Sequence, residues 1–194
     1  MAIACRWGLT AAATFSPTLI LIDPRIREPM NSSQFTVQDK ALAAISFCDH
    51  NSIVTAARDK KVTLFDLRML AVSGVSVLPP GSGKPRCMAV RDHITYVGDS
   101  KGTVHLFDLG TSGSVDYFQP VPVAAKSCQI ASVCPEVGGF IAGCTDKTVR
   151  VVIPTKPLYE LKVLHMDYEV TSMSYHNNIL AVGKVNGAVD IFKP

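Results

Sequence analysis

The chain has 194 residues, enough for one domain with a substantial buried core, and its 47% hydrophobic and 18% charged content excludes wholesale disorder. Nineteen basic residues against 16 acidic ones give a formal net charge of +3, with no basic run longer than Lys60-Lys61. Phosphate contacts call for a concentrated Lys/Arg face, so nothing here motivates a nucleic-acid partner. No apolar run reaches the roughly 18–20 residues that span a bilayer, and no membrane partner is expected.

From the N-terminus, Met1 to Ile22 is apolar with an early Arg6, a pattern shared with signal and transit peptides. Ser16-Pro17-Thr18 splits the run, and its parts read instead as strands: Ile3 to Arg6, Leu9 to Ala13, and Leu19-Ile20-Leu21-Ile22-Asp23. The shape of the last two, an apolar strand, a short polar turn and a second apolar strand, then recurs four times. Ile53 to Ala57 precedes Val62 to Asp66, and Ile94 to Gly98 precedes Val104 to Asp108. Phe140 to Gly143 precedes Val149 to Ile153, and Ile179 to Gly183 precedes Val189 to Lys193. Upstream of these pairs, Leu42 to Phe47 and Val170 to Tyr175 alternate with period two, and Cys87 to Val90 and Cys128 to Val133 do so more weakly. A fourth strand per unit is predicted near Phe35 to Val37, Val72 to Leu78, Val115 to Phe118 and Leu158 to Leu164. Turn formers separate the units: Pro79-Pro80-Gly81-Ser82-Gly83, Gly110-Thr111-Ser112-Gly113, and Pro154 to Pro157.

The second strands of the pairs end at 23, 66, 108, 153 and 193, at intervals of 43, 42, 45 and 40 residues. Seven residues before each end the turn position reads Ser16, Asp59, Lys101, Asp146 and Asn186. Asp, Asn and Ser side chains bond their own backbone two residues on and so stabilise a tight turn. Gly102 and Gly187 follow directly, where a positive φ is expected. The stretch Asp59-Lys60-Lys61-Val62-Thr63-Leu64-Phe65-Asp66 and its counterparts at 101–108 and 146–153 resemble the D-G-T-V-x-L-W-D segment of WD repeats. The period matches as well, at about 40–45 residues per repeat. No repeat carries the signature Trp, whose place is taken by Ile22, Phe65, Phe107, Val152 and Phe192, and no Gly-His pair opens a unit. The family's Asp–His–Ser–Trp hydrogen-bond network is therefore incomplete in every repeat, and packing is expected to carry the blades.

The resemblance implies an all-β fold: a WD-repeat β-propeller or partial propeller of about four full blades plus an incomplete fifth. It would form a single domain over 1–194, with blades near 1–38, 39–82, 83–124, 125–166 and 167–194. Propellers usually have about 4–8 blades of four strands. Three arrangements remain open: part of a larger propeller, completed by more chain or by another chain; a closed five-bladed ring; or an open arc with exposed edges that pair with a partner. The partial readings are preferred, because a repeat array needs its ends capped or closed.

The chain offers little chemistry. Its six cysteines are spread without a C-x-x-C pair, so neither a zinc site nor a disulfide framework is expected. Several fall in apolar strands and read as buried free thiols, which points to a reducing compartment, cytoplasmic or nuclear. Five histidines stand singly, and Gly81-Ser82-Gly83-Lys84 lacks the first glycine and the Ser/Thr of a phosphate-binding loop. No catalytic residue, metal or cofactor is expected. Candidate partner-binding residues are of two kinds. Asp23-Pro24-Arg25 and Asp66-Leu67-Arg68 end consecutive second strands and resemble the Asp-x-Arg box by which WD-repeat substrate receptors dock on a cullin ubiquitin-ligase adaptor. The resemblance implies that Arg25 and Arg68 project from one face to make charge-assisted hydrogen bonds; the plainer alternative is a local ion pair capping the strand. Arg58, Asp59, Lys60, Lys101 and Asp146 would lie on the opposite rim, where rigidly held loops serve recognition. The expected function is a non-catalytic intracellular scaffold for protein–protein interactions, its partners being other proteins or peptides. The alternative is a substrate-receptor subunit of a cullin-type ubiquitin ligase.

Overall fold

The computed structural model describes residues 2–23, 25, 32–110, 113–136, 138–153 and 159–193. Pro24, Thr111-Ser112, Pro154 to Pro157 and Leu158 lie outside these, so the turns and strand start expected there are not described. Nineteen strands form five separate antiparallel sheets, each in simple sequence order. The first sheet holds β1 (Ala2–Arg6), β2 (Leu9–Ala13), β3 (Thr18–Ile22) and β4 (Ser32–Thr36). The second holds β5 (Leu42–Phe47), β6 (Ser52–Ala57), β7 (Lys61–Asp66) and β8 (Ala71–Val77). The third holds β9 (Pro85–Arg91), β10 (Ile94–Asp99), β11 (Thr103–Leu109) and β12 (Val115–Pro122). The fourth holds β13 (Ile130–Glu136), β14 (Gly139–Cys144), β15 (Thr148–Ile153) and β16 (Tyr159–His165). The fifth has three described strands, β17 (Val170–His176), β18 (Ile179–Lys184) and β19 (Val189–Phe192). Four four-stranded blades and a fifth with three described strands are thus what forms. Among the outer strands β12 runs four residues beyond its predicted end, and the pairing of third and fourth strands shifts register at the equivalent place in blades 2, 3 and 4.

The first strands line up in sequence order, β1 against β5, β5 against β9, β9 against β13 and β13 against β17. The core consists of four apolar layers, one between each pair of neighbouring blades. Leu19 of blade 1 meets Ile45, Phe47 and Phe65 of blade 2. Val62 and Leu64 meet Val97 and Phe107, and Val104 and Leu106 meet Ile130 and Phe140. Ile141 and Val149 meet Val170 and Leu180. Period-two alternation produces this arrangement, since each inner strand presents one set of side chains to the preceding blade and the other set to the next. The sheets do not close into a ring. In a five-bladed closure blade 5 would have to meet blade 1, yet Val189 and Ile191 on one side and Ile3 on the other are each more than half exposed.

The tight turns form as their sequences predict in four blades. Ser16 Oγ accepts from Thr18 N, Asp59 Oδ1 from Lys61 N, Asp146 Oδ1 from Thr148 N, and Asn186 Oδ1 from Ala188 N. In blade 3 the turn position is Lys101, which cannot accept. Asp99, two residues earlier, takes the role and bonds both Lys101 N and Thr103 N at 2.8 and 2.9 Å. The residue after the turn position is left-handed at Gly102 and Gly187, as expected, and also at Lys60 and Lys147.

Polar networks stand in each blade from the second onward where the WD network is missing. They centre on one position of the third strand: Thr63, His105, Arg150 and Asp190. Gln38 Nε2 donates to Thr63 Oγ1 and Thr55 Oγ1 at 2.8 and 3.1 Å. His105 joins Asp99 at 3.1 Å and Tyr117 at 3.3 Å, Arg150 joins Asp146, and Lys184 donates to both carboxylate oxygens of Asp190. Buried polar atoms need partners, so each blade has found a different set. Packing therefore does not act alone.

Candidate functional site

Antiparallel order places the turns between first and second strands, and between third and fourth strands, at one end of every blade. The two Asp-x-Arg segments lie at this end. In blade 2 the corner after β7 is fixed by Leu67 N donating to Asn51 O, and Asn51 N in turn donates to Asp49 Oδ1, both at 2.7 Å. Asp66 Oδ1 accepts from Arg68 N at 2.7 Å and from Arg68 Nε at 3.3 Å, and Oδ2 accepts from Nη2 at 2.8 Å. Blade 1 repeats the arrangement: Asp23 Oδ1 takes Arg25 N and Nε at 3.0 and 2.8 Å, and Oδ2 takes Nη2 at 2.6 Å. The side-chain bond from the arginine, helped by its backbone N–H, holds each aspartate well below the usual carboxylate range, at about 2. Both clasps are therefore ionised through the neutral range.

Each guanidinium uses two of its five N–H donors on its own aspartate and stays about 70% exposed. The other three donors of each arginine have no hydrogen-bond partner among the described residues, and the guanidinium is already charge-compensated. Such a group suits a carbonyl or carboxylate supplied by another protein. Beside the second clasp lies a groove of about 790 Å³, walled by Arg68, Met69, Asn51, Arg91, His93 and Arg6. Met69 and Leu70 are largely exposed on its flank. Trp7, in the β1–β2 turn, is also partly exposed; its ring stacks on His50 at 4.0 Å, meets Phe47 edge-on, and lies under the Arg6 guanidinium at 5.0 Å. Sequence reasoning singled out the arginines but missed this aromatic and sulfur-bearing surround. Its signal was the single Trp of the chain at a hairpin tip, with φ at 49°, a conformation bulky residues rarely adopt. The third-blade corner, Asp108-Leu109-Gly110, has no arginine and makes no clasp.

The second set of candidates lies at the opposite end, where Asp59, Lys101 and Asp146 bond through their side chains and Arg58 and Lys60 through their backbone N–H groups. Asp59 accepts from Lys61 N and Asp39 N, and Lys61 pairs with Asp39. Arg58 N donates to Ala41 O, Lys60 N to Ala57 O, and Lys101 Nζ to Gly81 O. Asp146 is engaged by Thr148 and Arg150. A second cavity of about 270 Å³ at this end is walled by Pro79, Pro80, Pro120 and Pro122 over His105 and Asp99. Burial alone would push Asp99 up. Hydrogen bonds from His105 and from the backbone N–H groups of Thr103, Lys101 and Gly83 outweigh it and hold the carboxyl below its ordinary range. The acid is thus fully committed as an acceptor.

The six cysteines are free: Cys128, Cys134 and Cys144 are buried, Cys48 and Cys87 half-buried, and Cys5 exposed. Burial pushes Cys48, Cys87 and Cys144 up to about 12 and Cys134 to about 11, which makes them poor nucleophiles. Cys128, Cys144 and Asp146 bring three possible metal-ligand atoms within 4.8 Å of one another. A closed structural zinc site needs four ligands, and Arg150 competes for the carboxylate, so the set fits a metal poorly.

Comparison with known proteins bears on the fold. No family model matches the chain. It is 25% identical over 157 residues to F-box/WD repeat-containing protein 9 of Bos taurus, covering 81% of this chain and 33% of that protein. The Homo sapiens protein of the same name is 20% identical over 185 residues, covering 95% of this chain and 39% of its own length. The chain thus spans between a third and two-fifths of the curated relatives it matches. Among solved structures, the crystal structure of the computationally designed Ika4 protein superposes with a TM-score of 0.67 at 20% identity, over 80% of this chain and 92% of that one. That likeness shows the fold. Repeat, sheet order and relatives together support a WD-repeat-like β-propeller fold for the chain.

Proposed function

We propose that the chain is a non-catalytic scaffold of the cytoplasm or nucleus, binding other proteins at the end of the arc that carries the two clasps. The observation that carries this reading is the identical construction of Arg25 and Arg68 on consecutive blades, each held by a bidentate aspartate and each presenting unused donors to solvent. Two arginines on consecutive blades, with exposed Trp7, Met69 and Leu70 at the same end of the arc, supply residue types enriched at protein interfaces. The six free thiols support a reducing compartment. The finer form of the proposal is a substrate-receptor subunit of a cullin-type ubiquitin ligase, with the clasps on the adaptor. Similarity to an F-box/WD repeat-containing protein supports that form.

The test is affinity capture from cells, comparing the native chain with an Arg25→Asp/Arg68→Asp variant. Both side chains are exposed, and circular dichroism confirms that the variant is folded. Ligase adaptor subunits captured by the native chain and lost by the variant are the expected result for the receptor form. Identical non-ligase partners on both would make the clasps structural and overturn it, leaving the scaffold. Capture of nothing by either chain would overturn the scaffold reading itself.

A further inference from the structure

At the end that carries the clasps, the same positions can be compared at successive gaps between blades. Register aligns Cys5, Phe47 and Val90, the first-strand residues paired with Thr10, Ile53 and Thr95. Two residues beyond this position stand Trp7, Asp49 and Asp92, and three residues beyond Phe47 and Val90 stand His50 and His93. In the first gap Trp7 of blade 1 meets Phe47 of blade 2 edge-on and stacks on His50, with the Arg6 guanidinium 5.0 Å from its ring. In the second gap the corresponding residues are Asp49 of blade 2 and Val90 and His93 of blade 3. A carboxylate stands where the indole would be, and Val stands for Phe. The space of the two rings is left open, and all three residues line the groove of about 790 Å³.

The groove has an apolar depth and a cationic rim. Leu64 and Leu109, both buried, line it together with half-buried Cys48 and Val90, while Arg6, Arg68 and Arg91 stand at its mouth. Its walls, blades 2 and 3, each have another blade on both sides. Outward these two blades touch: a Cβ on Gly74 would lie 2.3 Å from the Gly113 carbonyl oxygen, and Gly113 bounds the groove there. The three guanidiniums are matched in number by Asp49, Asp66 and Asp92, which disfavours a strongly charged guest. An aromatic ring suits both features, since it fills apolar space and its face attracts a guanidinium. Resting on the reading that this end of the arc binds proteins, we infer that the groove receives an aromatic side chain, tryptophan best, from an extended segment of the partner. The guest ring takes the place that Trp7 fills one blade earlier, and the remaining donors of Arg68 meet main-chain carbonyls beside it.

Carbon NMR of the leucine and valine methyl groups of the full chain, titrated with N-acetyltryptophanamide, tests this. Saturable shifts at Leu64, Val90 and Leu109 are expected, with N-acetylleucinamide binding about fivefold more weakly. Val90→Phe gives blade 3 the ring that blade 2 carries at Phe47, fills the groove and abolishes the shifts at Leu64 and Leu109. Circular dichroism checks that this variant is folded; if it is not, Asn51→Trp, which changes an exposed side chain on the wall, replaces it. Absence of saturable shifts at these methyls, equal affinity for the two amides, or shifts that persist in the folded variant overturn the inference. Affinity capture separates it from the reading on which it rests. A partner lost on both Val90→Phe and Arg25→Asp/Arg68→Asp is the expected result. A partner lost on the arginine variant but kept on Val90→Phe leaves the binding end in place and overturns the groove alone. Capture of no partner by the native chain overturns the reading, and the amide titration still decides the groove.

Discussion

Thr63, His105, Arg150 and Asp190 occupy one position of the third strand, and each recruits a different partner because the blade must satisfy whatever polar group stands there. Asp99 is the extreme case: fully buried, it accepts from three backbone N–H groups and from His105. Asp99→Ala leaves those donors without an acceptor and is expected to cost about 3 kcal/mol, read as a lower urea midpoint. Asp108→Ala, at an exposed strand end, should stay within about 0.5 kcal/mol of the native chain. The clasps make a second prediction at this scale. The Asp66 carboxyl should titrate near pH 2 by carbon NMR, and Arg68→Ala should return it towards the ordinary value of about 3.9. Because the folded value is depressed, the stabilisation from the clasp is complete above about pH 4 and is lost as pH falls towards 2. The clasp candidates were legible as Asp-x-Arg, and their bidentate geometry follows from that spacing. The Asp99–His105–Tyr117 chain was not, since its members lie 6 and 12 residues apart on different strands and only pairing brings them together. The missing Trp had argued for blades held by packing, and the substitute networks could be found only in three dimensions.

Within a blade, the elements obey strand periodicity closely enough that the inner strands were readable almost to the residue. Apolar alternation fixed them, and Asx-type turns between second and third strands fixed their register. The outer strands were less legible. Their side chains are mostly exposed, as at Val72, Val75, Val77 and Phe118, so no burial pattern marks their ends. Small residues in the second strand are where the element meets its neighbour, and one comparison isolates that effect. Gly143→Ala forces a Cβ into Val170 and Met173, and overpacking of this kind costs about 1–3 kcal/mol. Gly183→Ala sits at the equivalent position of blade 5, where the nearest atom is the Ser172 hydroxyl, which can rotate away. Thermal unfolding should show a clear loss for the first and little change for the second. Equal losses would mean that the glycine is required by the strand itself and not by the neighbouring blade.

Across the whole molecule, four interblade layers stack five sheets into an arc, and its stability is shared between adjacent blades as in other repeat arrays. That blades exist, and where each falls, was readable from the 40–45 residue period; that the five described sheets do not close into a ring was not, because closure depends on curvature accumulated over five sheets. The proposed function rests on the same geometry. The array holds two clasped arginines and an exposed aromatic corner at one end, while at the other end Asp59, Lys101 and Asp146 bond to the turns and their neighbours. Amide hydrogen exchange of the chain, free and in the complex obtained by affinity capture, separates the two ends most directly. The account predicts protection gained at 49–52, 66–70 and 91–93, with none at 58–60 or 99–101. Protection confined to the second set would contradict it and move the binding surface to the opposite rim.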